Sequence, residues 1–296
     1  MPPVTFVGSI PSPENGAVKI GPLSIHMYGV MIAIGVIVAV YLAERRWKAR
    51  GGDPHVIADI ALWLVLGGLV GARLYHVITD YQLFEDDWTK AFRVWQGGLG
   101  IWGAVMGGIV ALLIVVRVKK LPLVPLMDTL GPTILVAQAI GRFGNYFNQE
   151  LFGRPTSLPW GLEISPVHRP VGYQQYSTFQ PTFLYEATTN LLSFGFIVYL
   201  EKRFRLRNLQ SFWLYVALNT FFRFFYENMR TDSAHTIGPL RVNAWMSLII
   251  CCIAIAGFLW QGRHGKPQAR VDDRDDETTG PDRVLSPWRD PTPAAG

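Results

Sequence analysis

Apolar residues in this chain fall in long unbroken runs, not in the short alternations of a half-buried strand. Three runs, Ile20 to Ala43, Val94 to Val116 and Val242 to Gly262, contain no Lys, Arg, Asp or Glu. Each reaches the roughly 20 residues needed to cross about 30 Å of hydrocarbon. Four further runs are apolar but carry charge: residues 56–78 (Asp59, Arg73), 121–141 (Asp128), 181–200 (Glu186) and 208–228 (Arg223, Glu227). The pattern predicts an all-α integral membrane protein with about seven transmembrane helices. A water-soluble bundle is a poor alternative, because three uncharged runs of this length do not fit a soluble core. The first run has no basic cluster before it and "AERRWKAR" after it. It is therefore expected to remain as a span and not to be cleaved as a leader.

Charge sets the expected orientation. Arg45, Arg46, Lys48 and Arg50 follow the first run, Arg117, Lys119 and Lys120 the third, Lys202, Arg203, Arg205 and Arg207 the fifth, and Arg263 and Lys266 the seventh. Basic loops stay in the cytoplasm, so the N-terminus is expected outside and the C-terminus inside. The net charge of +5 is largely this bias, and no nucleic-acid partner is needed to explain it. Residues 1–265 read as one membrane domain, within which the polar stretch 153–181 reads as a small extracytoplasmic head loop. Residues 266–296 are polar and Pro-containing, and read as a disordered cytoplasmic tail. Cys251 and Cys252 are adjacent in the last run and suggest neither a disulfide framework nor a metal site.

On this topology the costly polar residues gather on the outer side. Arg73 lies toward the outer end of helix two, Arg142 and Asn145 at that of helix four, Glu186 near the start of helix five, and Arg223, Glu227 and Arg230 at the end of helix six. Tyr28 and His26 enter helix one from the same side, and Gln96 and Trp102 open helix three. A charge at membrane depth costs about 2.5–3.5 kcal/mol on insertion scales, so a group of them calls for a shared cavity or a mutual network. Asp59 and Asp128 fall at the other end, as loop-proximal or capping residues. Glycines in "LGGLVGARLYH" and "QGGLGIWGAVMGGI" have the spacing that lets helix backbones approach closely.

Arginine presents a planar fork that matches phosphate and keeps its charge when partly desolvated. Arg142 and Arg230, with Arg73 as a third candidate, suit a phospholipid head group. Asn145, Asn148 and Gln149 offer the donors and acceptors a polyol requires, and Glu150 and Glu227 are placed to orient the arginines. The lipid bilayer itself would then supply the substrate. No cofactor or metal is implied, and neither HExxH nor GxSxG occurs.

The stretch "GRFGNYFNQELFGRP" (141–155) resembles the signature of the bacterial phosphatidylglycerol:prolipoprotein diacylglyceryl transferases. Its fixed positions are all present: Gly141, Arg142, Gly144, Asn145, Asn148, Glu150 and Gly153. "HMYGVMIAIG", "VGARLYHV", "VWQGGLGIWGA", "QPTFLYE" and "YENMRTD" resemble the same family. The resemblance implies transfer of the diacylglyceryl group of phosphatidylglycerol to the lipobox cysteine of a prolipoprotein signal peptide, with release of glycerol 1-phosphate, in the bacterial plasma membrane. It implies that Arg142 holds the head group and that Arg230 supports the phosphate. Gly153 joins the substrate-binding set as a motif position, and Tyr28, Glu150 and Glu227 are candidates to assist the thiol. Two positions depart from many family members: Trp102 and Gln180 each stand where a histidine is common. His76 and His26 are weaker candidates for a base, and helix-end hydrogen bonding is the expected role of His76. A phospholipid transporter or flippase is the alternative function, but it would spread polar residues through the whole membrane depth.

Overall fold

The computed structural model describes residues 8–13, 15–20, 23–85, 87–93, 97–98, 100–232 and 235–268. Among them are seven helices: α1 (Met27–Ala49), α2 (His55–Thr79), α3 (Ile101–Val118), α4 (Leu123–Asn148), α5 (Thr182–Arg203), α6 (Gln210–Met229) and α7 (Val242–His264). Three antiparallel strand pairs accompany them: β1 (Ala17–Ile20) with β2 (Leu23–His26), β3 (Leu162–Glu163) with β4 (Thr178–Phe179), and β5 (Thr236–Ile237) with β6 (Leu240–Arg241). Five helices, α1, α2, α4, α5 and α7, are long and apolar enough to cross a bilayer. The 18 residues of α3 extend about 27 Å at 1.5 Å per residue. The polar helix is α6, which carries Asn219, Arg223, Glu227 and Asn228. The architecture is that of an all-helical, multi-pass membrane protein.

Two boundaries differ from the hydrophobic pattern. The first apolar run was expected to be helical from Ile20, yet Ala17 pairs with His26 and Ile20 with Leu23. Gly21 and Pro22 lie between the two strands, and proline lacks the N–H that a helix interior needs. The helix accordingly starts at Met27. The run from Val94 likewise becomes helical only at Ile101, because Gly97 and Gly98 have φ of 88° and 72°, a left-handed backbone that helices do not continue through. Gln96 and residues 269–296, the greater part of the expected tail, lie outside the described residues.

The chain divides into two compact units, one drawn from Met1–Leu42 and Met127–Gln268, the other from Ala43–Leu126. In the second unit, Gly67 and Gly71 of α2 face Gly103 and Gly107 of α3. A Cβ at Gly71 would lie 2.8 Å from the Gly107 Cα, so only glycine permits this backbone contact. In the first unit α4 is the most enclosed helix: half of its most apolar window is buried, against 11 % for α1. Near its start Asp128, fully buried, accepts hydrogen bonds from the backbone N–H groups of Leu209 (2.6 Å) and Phe212 (3.0 Å). It thereby caps α6, whose N-cap residue Leu209 has φ of 66° and offers no side-chain cap. Asp59, the other carboxylate expected at this end, pairs with Lys119.

The polar stretch after α4 builds a small core together with the start of α5. Phe152, Leu162, Ile164, Phe179 and Phe183 are buried together, with Leu162 opposite Phe179 in the β3–β4 pair.

Candidate active site

The motif residues Gly141 to Asn148 form the last two turns of α4 and not a loop beyond it. The helix ends without glycine: Gln149 (φ 51°) and Leu151 (φ 56°) both adopt the left-handed conformation, at a cost on the order of 1–3 kcal/mol each. This turn directs Glu150 back onto the helix. Its Oε1 accepts hydrogen bonds from Asn145 Nδ2 (2.8 Å) and Asn148 Nδ2 (3.4 Å), and its backbone N–H donates to the Asn145 carbonyl. Gln149 fixes the surroundings: its amide donates to the Pro13 carbonyl and accepts from the Ser165 N–H, both at 2.7 Å.

The expected pairing of Glu150 with Arg142 is not what the structure shows. Arg142 Nη2 lies 2.6 Å from Glu186 Oε2 on α5, and Arg142 Nη1 donates to Asn145 Oδ1 at 3.4 Å. Glu150 therefore orients the asparagines, and Glu186 holds the arginine. The Tyr28 ring packs against Gly144, where a Cβ would lie 2.6 Å from the ring edge, whereas a Cβ on Gly141 would meet nothing within 4 Å. Of the two glycines, only Gly144 is required for close approach.

A second cluster forms where α6 ends and α7 begins. The Glu227 side chain is 3 % exposed and lies 3.6 Å from Arg230, 3.5 Å from Arg241 and 3.9 Å from Arg223; Asn243 also donates to it, at 3.1 Å. Arg230 forks onto Asp232 with two hydrogen bonds of 2.8 Å. Burial would raise the Asp232 carboxyl, but the Arg230 hydrogen bond and the charges of Arg230 and Arg241 prevail and hold it below its ordinary value, so it is ionised at neutral pH. Gly153 pairs with Arg230 as an antiparallel bridge, and a Cβ on it would come within 3.0 Å of Gln180. Gly153 thus joins the segment after α4 to the end of α6 by backbone contact.

The two clusters meet at one small space, lined by Arg142 and Glu186 from the first and by Arg223 from the second. Four guanidinium groups face three carboxylates, an excess of one positive charge. That excess is most accessible at Arg223, which is 44 % exposed and only loosely paired. Arg223 was read in the sequence as an outer-side charge but not as a site residue; its i, i+4, i+7 spacing with Glu227 and Arg230 places all three on one helix face. Gln138, Asn190 and Asn219, with Arg142, Glu186 and Arg223, line a space of about 20 Å³, room for about one water.

Arg73 belongs to the other unit. Buried there, it donates to the carbonyls of Ala91 (2.7 Å), Gly97 (2.7 Å), Gly98 (3.0 Å) and Lys90, so its fork is engaged in shaping the segment before α3. His76 pairs with Asp80 at 2.8 Å, the helix-end contact expected of it. Trp102 is 65 % exposed. Among the described residues there is no group of His, Cys, Asp and Glu able to hold a metal ion.

The family model described as prolipoprotein diacylglyceryl transferase matches residues 15–260. Relatives bearing the name phosphatidylglycerol–prolipoprotein diacylglyceryl transferase include one from Cutibacterium acnes, 47 % identical over 87 % of this chain and 88 % of its own. Another, numbered 2, from Streptomyces coelicolor is 48 % identical over 83 % and 79 %. A third, from Corynebacterium glutamicum strain R, is 41 % identical over 99 % and 96 %. With a model match over most of its length and relatives this similar end to end, the chain belongs to the prolipoprotein diacylglyceryl transferase family.

Proposed function

We propose that this protein transfers the diacylglyceryl group of phosphatidylglycerol to the thiol of a prolipoprotein's lipobox cysteine, forming a thioether and releasing glycerol 1-phosphate. The observation that carries the reading is the convergence of Arg142, Arg223, Arg230 and Arg241 in one network, four guanidinium groups against three paired carboxylates, which suits a phosphodiester anion. The C-terminal ends of α4 and α6 and the N-terminal ends of α1, α5 and α7 bring these groups to one end of their unit. By the distribution of basic loops this end faces outward, with the N-terminus outside, seven helices in the bacterial plasma membrane, and the C-terminus in the cytoplasm.

In the reaction the sulfur–carbon bond forms as the carbon–oxygen bond to phosphate breaks. Negative charge grows on the leaving phosphate, where fixed cations act most strongly in a water-poor site. Arg142 and Arg223 serve as its direct partners, with Arg230 in support and Glu227 holding the arginines. Asn145, fixed by Glu150, receives the glycerol hydroxyls, and Tyr28 packs on α4 at Gly144. Gly153 supports the site through its backbone bridge to Arg230. The thiol proton leaves with the phosphate: the departing monoester relays it and, with a second pKa of about 6, releases it to water at neutral pH. This accounts for a site without a histidine at Trp102. The test is an assay of the purified protein with head-group-labelled phosphatidylglycerol and a lipobox peptide. Equal amounts of glycerol phosphate and thioether-linked peptide are expected; lipid movement across vesicles without either product would instead favour a flippase.

A further inference from the structure

A second polar space adjoins the arginine cluster from another side. Asn15, His26, Asn148, Glu150 and His168 line a cleft of about 640 Å³, within the range of ligand clefts. The β1–β2 hairpin forms one wall, the end of α4 the floor and the segment after it the far wall. The hairpin can seat there because of Gly16: a Cβ at this position would lie 2.8 Å from Asn148 Oδ1 and 3.1 Å from the Phe147 carbonyl oxygen. Asn15, His26 and His168 are exposed; the His168 Nδ1 lies 3.4 Å from Ser165 Oγ, which turns its Nε2 to a ligand.

The cleft and the 20 Å³ space beside Arg142 share no lining residue, yet Asn145 connects them. It donates to Glu150 in the cleft floor and accepts from Arg142 on the other side. His26 stands two residues before Tyr28, whose ring covers Gly144. An acyl chain gains nothing in such a cleft, since it would desolvate amides and a carboxylate without pairing them. A polypeptide backbone, with its regular N–H donors and C=O acceptors, suits this lining.

The geometry points to this cleft as the seat of the acceptor polypeptide, holding its extended polar segment just past the cysteine while the arginines hold the lipid phosphate. The assignment rests on the transferase reading and divides its two substrates between two sides of Asn145. The thiol would then arrive beside Glu150 from the aqueous side.

The test varies each substrate separately with the full-length protein in phosphatidylglycerol mixed micelles. The double variant Asn15→Ala, His168→Ala removes two hydrogen-bonding groups, and should raise the peptide KM about tenfold while leaving kcat and the KM for phosphatidylglycerol within about twofold. An unchanged peptide KM overturns the assignment, as does an increase confined to the lipid KM, which would give the cleft to the head group. A wild-type measurement guards against a misfolded variant: a peptide with a photoreactive residue two positions after the cysteine should cross-link to the fragment containing His168. Cross-links only to other fragments overturn the proposal. A wild-type protein that cross-links there but releases no glycerol phosphate would instead count against the transferase reading alone.

Discussion

Asp128 and Glu227 are both almost fully buried carboxylates of the same unit, but their surroundings differ in kind. Asp128 accepts from backbone N–H groups at the start of α6, a fixed structural task at the end where α4 begins. Glu227 faces three arginines and an asparagine, and among the described residues the ion pairs around it hold more guanidinium groups than carboxylates. Burying a carboxylate is costly at either place. At one end the result is a helix cap, and at the other it is a network of ion pairs, which we propose receives an anion.

The sharpest way to break this contrast is to remove charge from the Glu227 cluster. Arg230→Gln removes one cation of the cluster and leaves Asp232 without its two-bond partner, and should lower kcat/KM about a hundredfold, the size of effect seen when a preorganised electrostatic site loses one member; steady-state assay against phosphatidylglycerol reads this directly. Gly144→Leu should cost about tenfold in kcat by displacing the Tyr28 ring, a misplacement effect, whereas Gly141→Ala, with open space around it, should leave activity within about twofold.

The other end should respond in stability and not in turnover. Asp128→Ala removes the cap of α6 and should cost about 2 kcal/mol, seen as a lower unfolding midpoint in detergent, with turnover per folded molecule unchanged. Reduced turnover with unchanged stability would erase the distinction between the two ends. The smallest effect is expected at Trp102, exposed and apolar: Trp102→Phe should retain activity within about twofold. A large loss with intact folding would assign the indole a specific role.

Much of this was legible in the chain, and the gaps have physical causes. Long uncharged runs marked α1, α3 and α7 because membrane length is a one-dimensional property. The β1–β2 hairpin was hidden because its residues are apolar enough to read as part of a span, and the φ values at Gly97 and Gly98 similarly shortened α3. Polar residues at membrane depth drew attention to Arg142, Arg230 and Glu227, and the structure places each of them in an ion pair, as the cost of a charge at that depth requires. Their partners were less readable. Glu186 meets Arg142 across two helices, Glu150 turns back through a strained C-terminus, and Arg241 enters from the β5–β6 pair; each depends on tertiary placement. Arg73 looked like its fellow arginines in sequence, and only its four carbonyl partners distinguish it.

The central claim is that Arg142 acts on the lipid phosphate, beyond its pairing with Glu186. Removing the arginine alone leaves a buried carboxylate unpaired and confounds function with stability, so the double variant Arg142→Gln, Glu186→Gln, neutral at both positions, is the cleaner probe beside Arg142→Ala. In membranes containing normal amounts of folded protein, both variants should show no measurable transfer from labelled phosphatidylglycerol to a lipobox peptide. Wild-type rates of glycerol phosphate release from either would contradict the account.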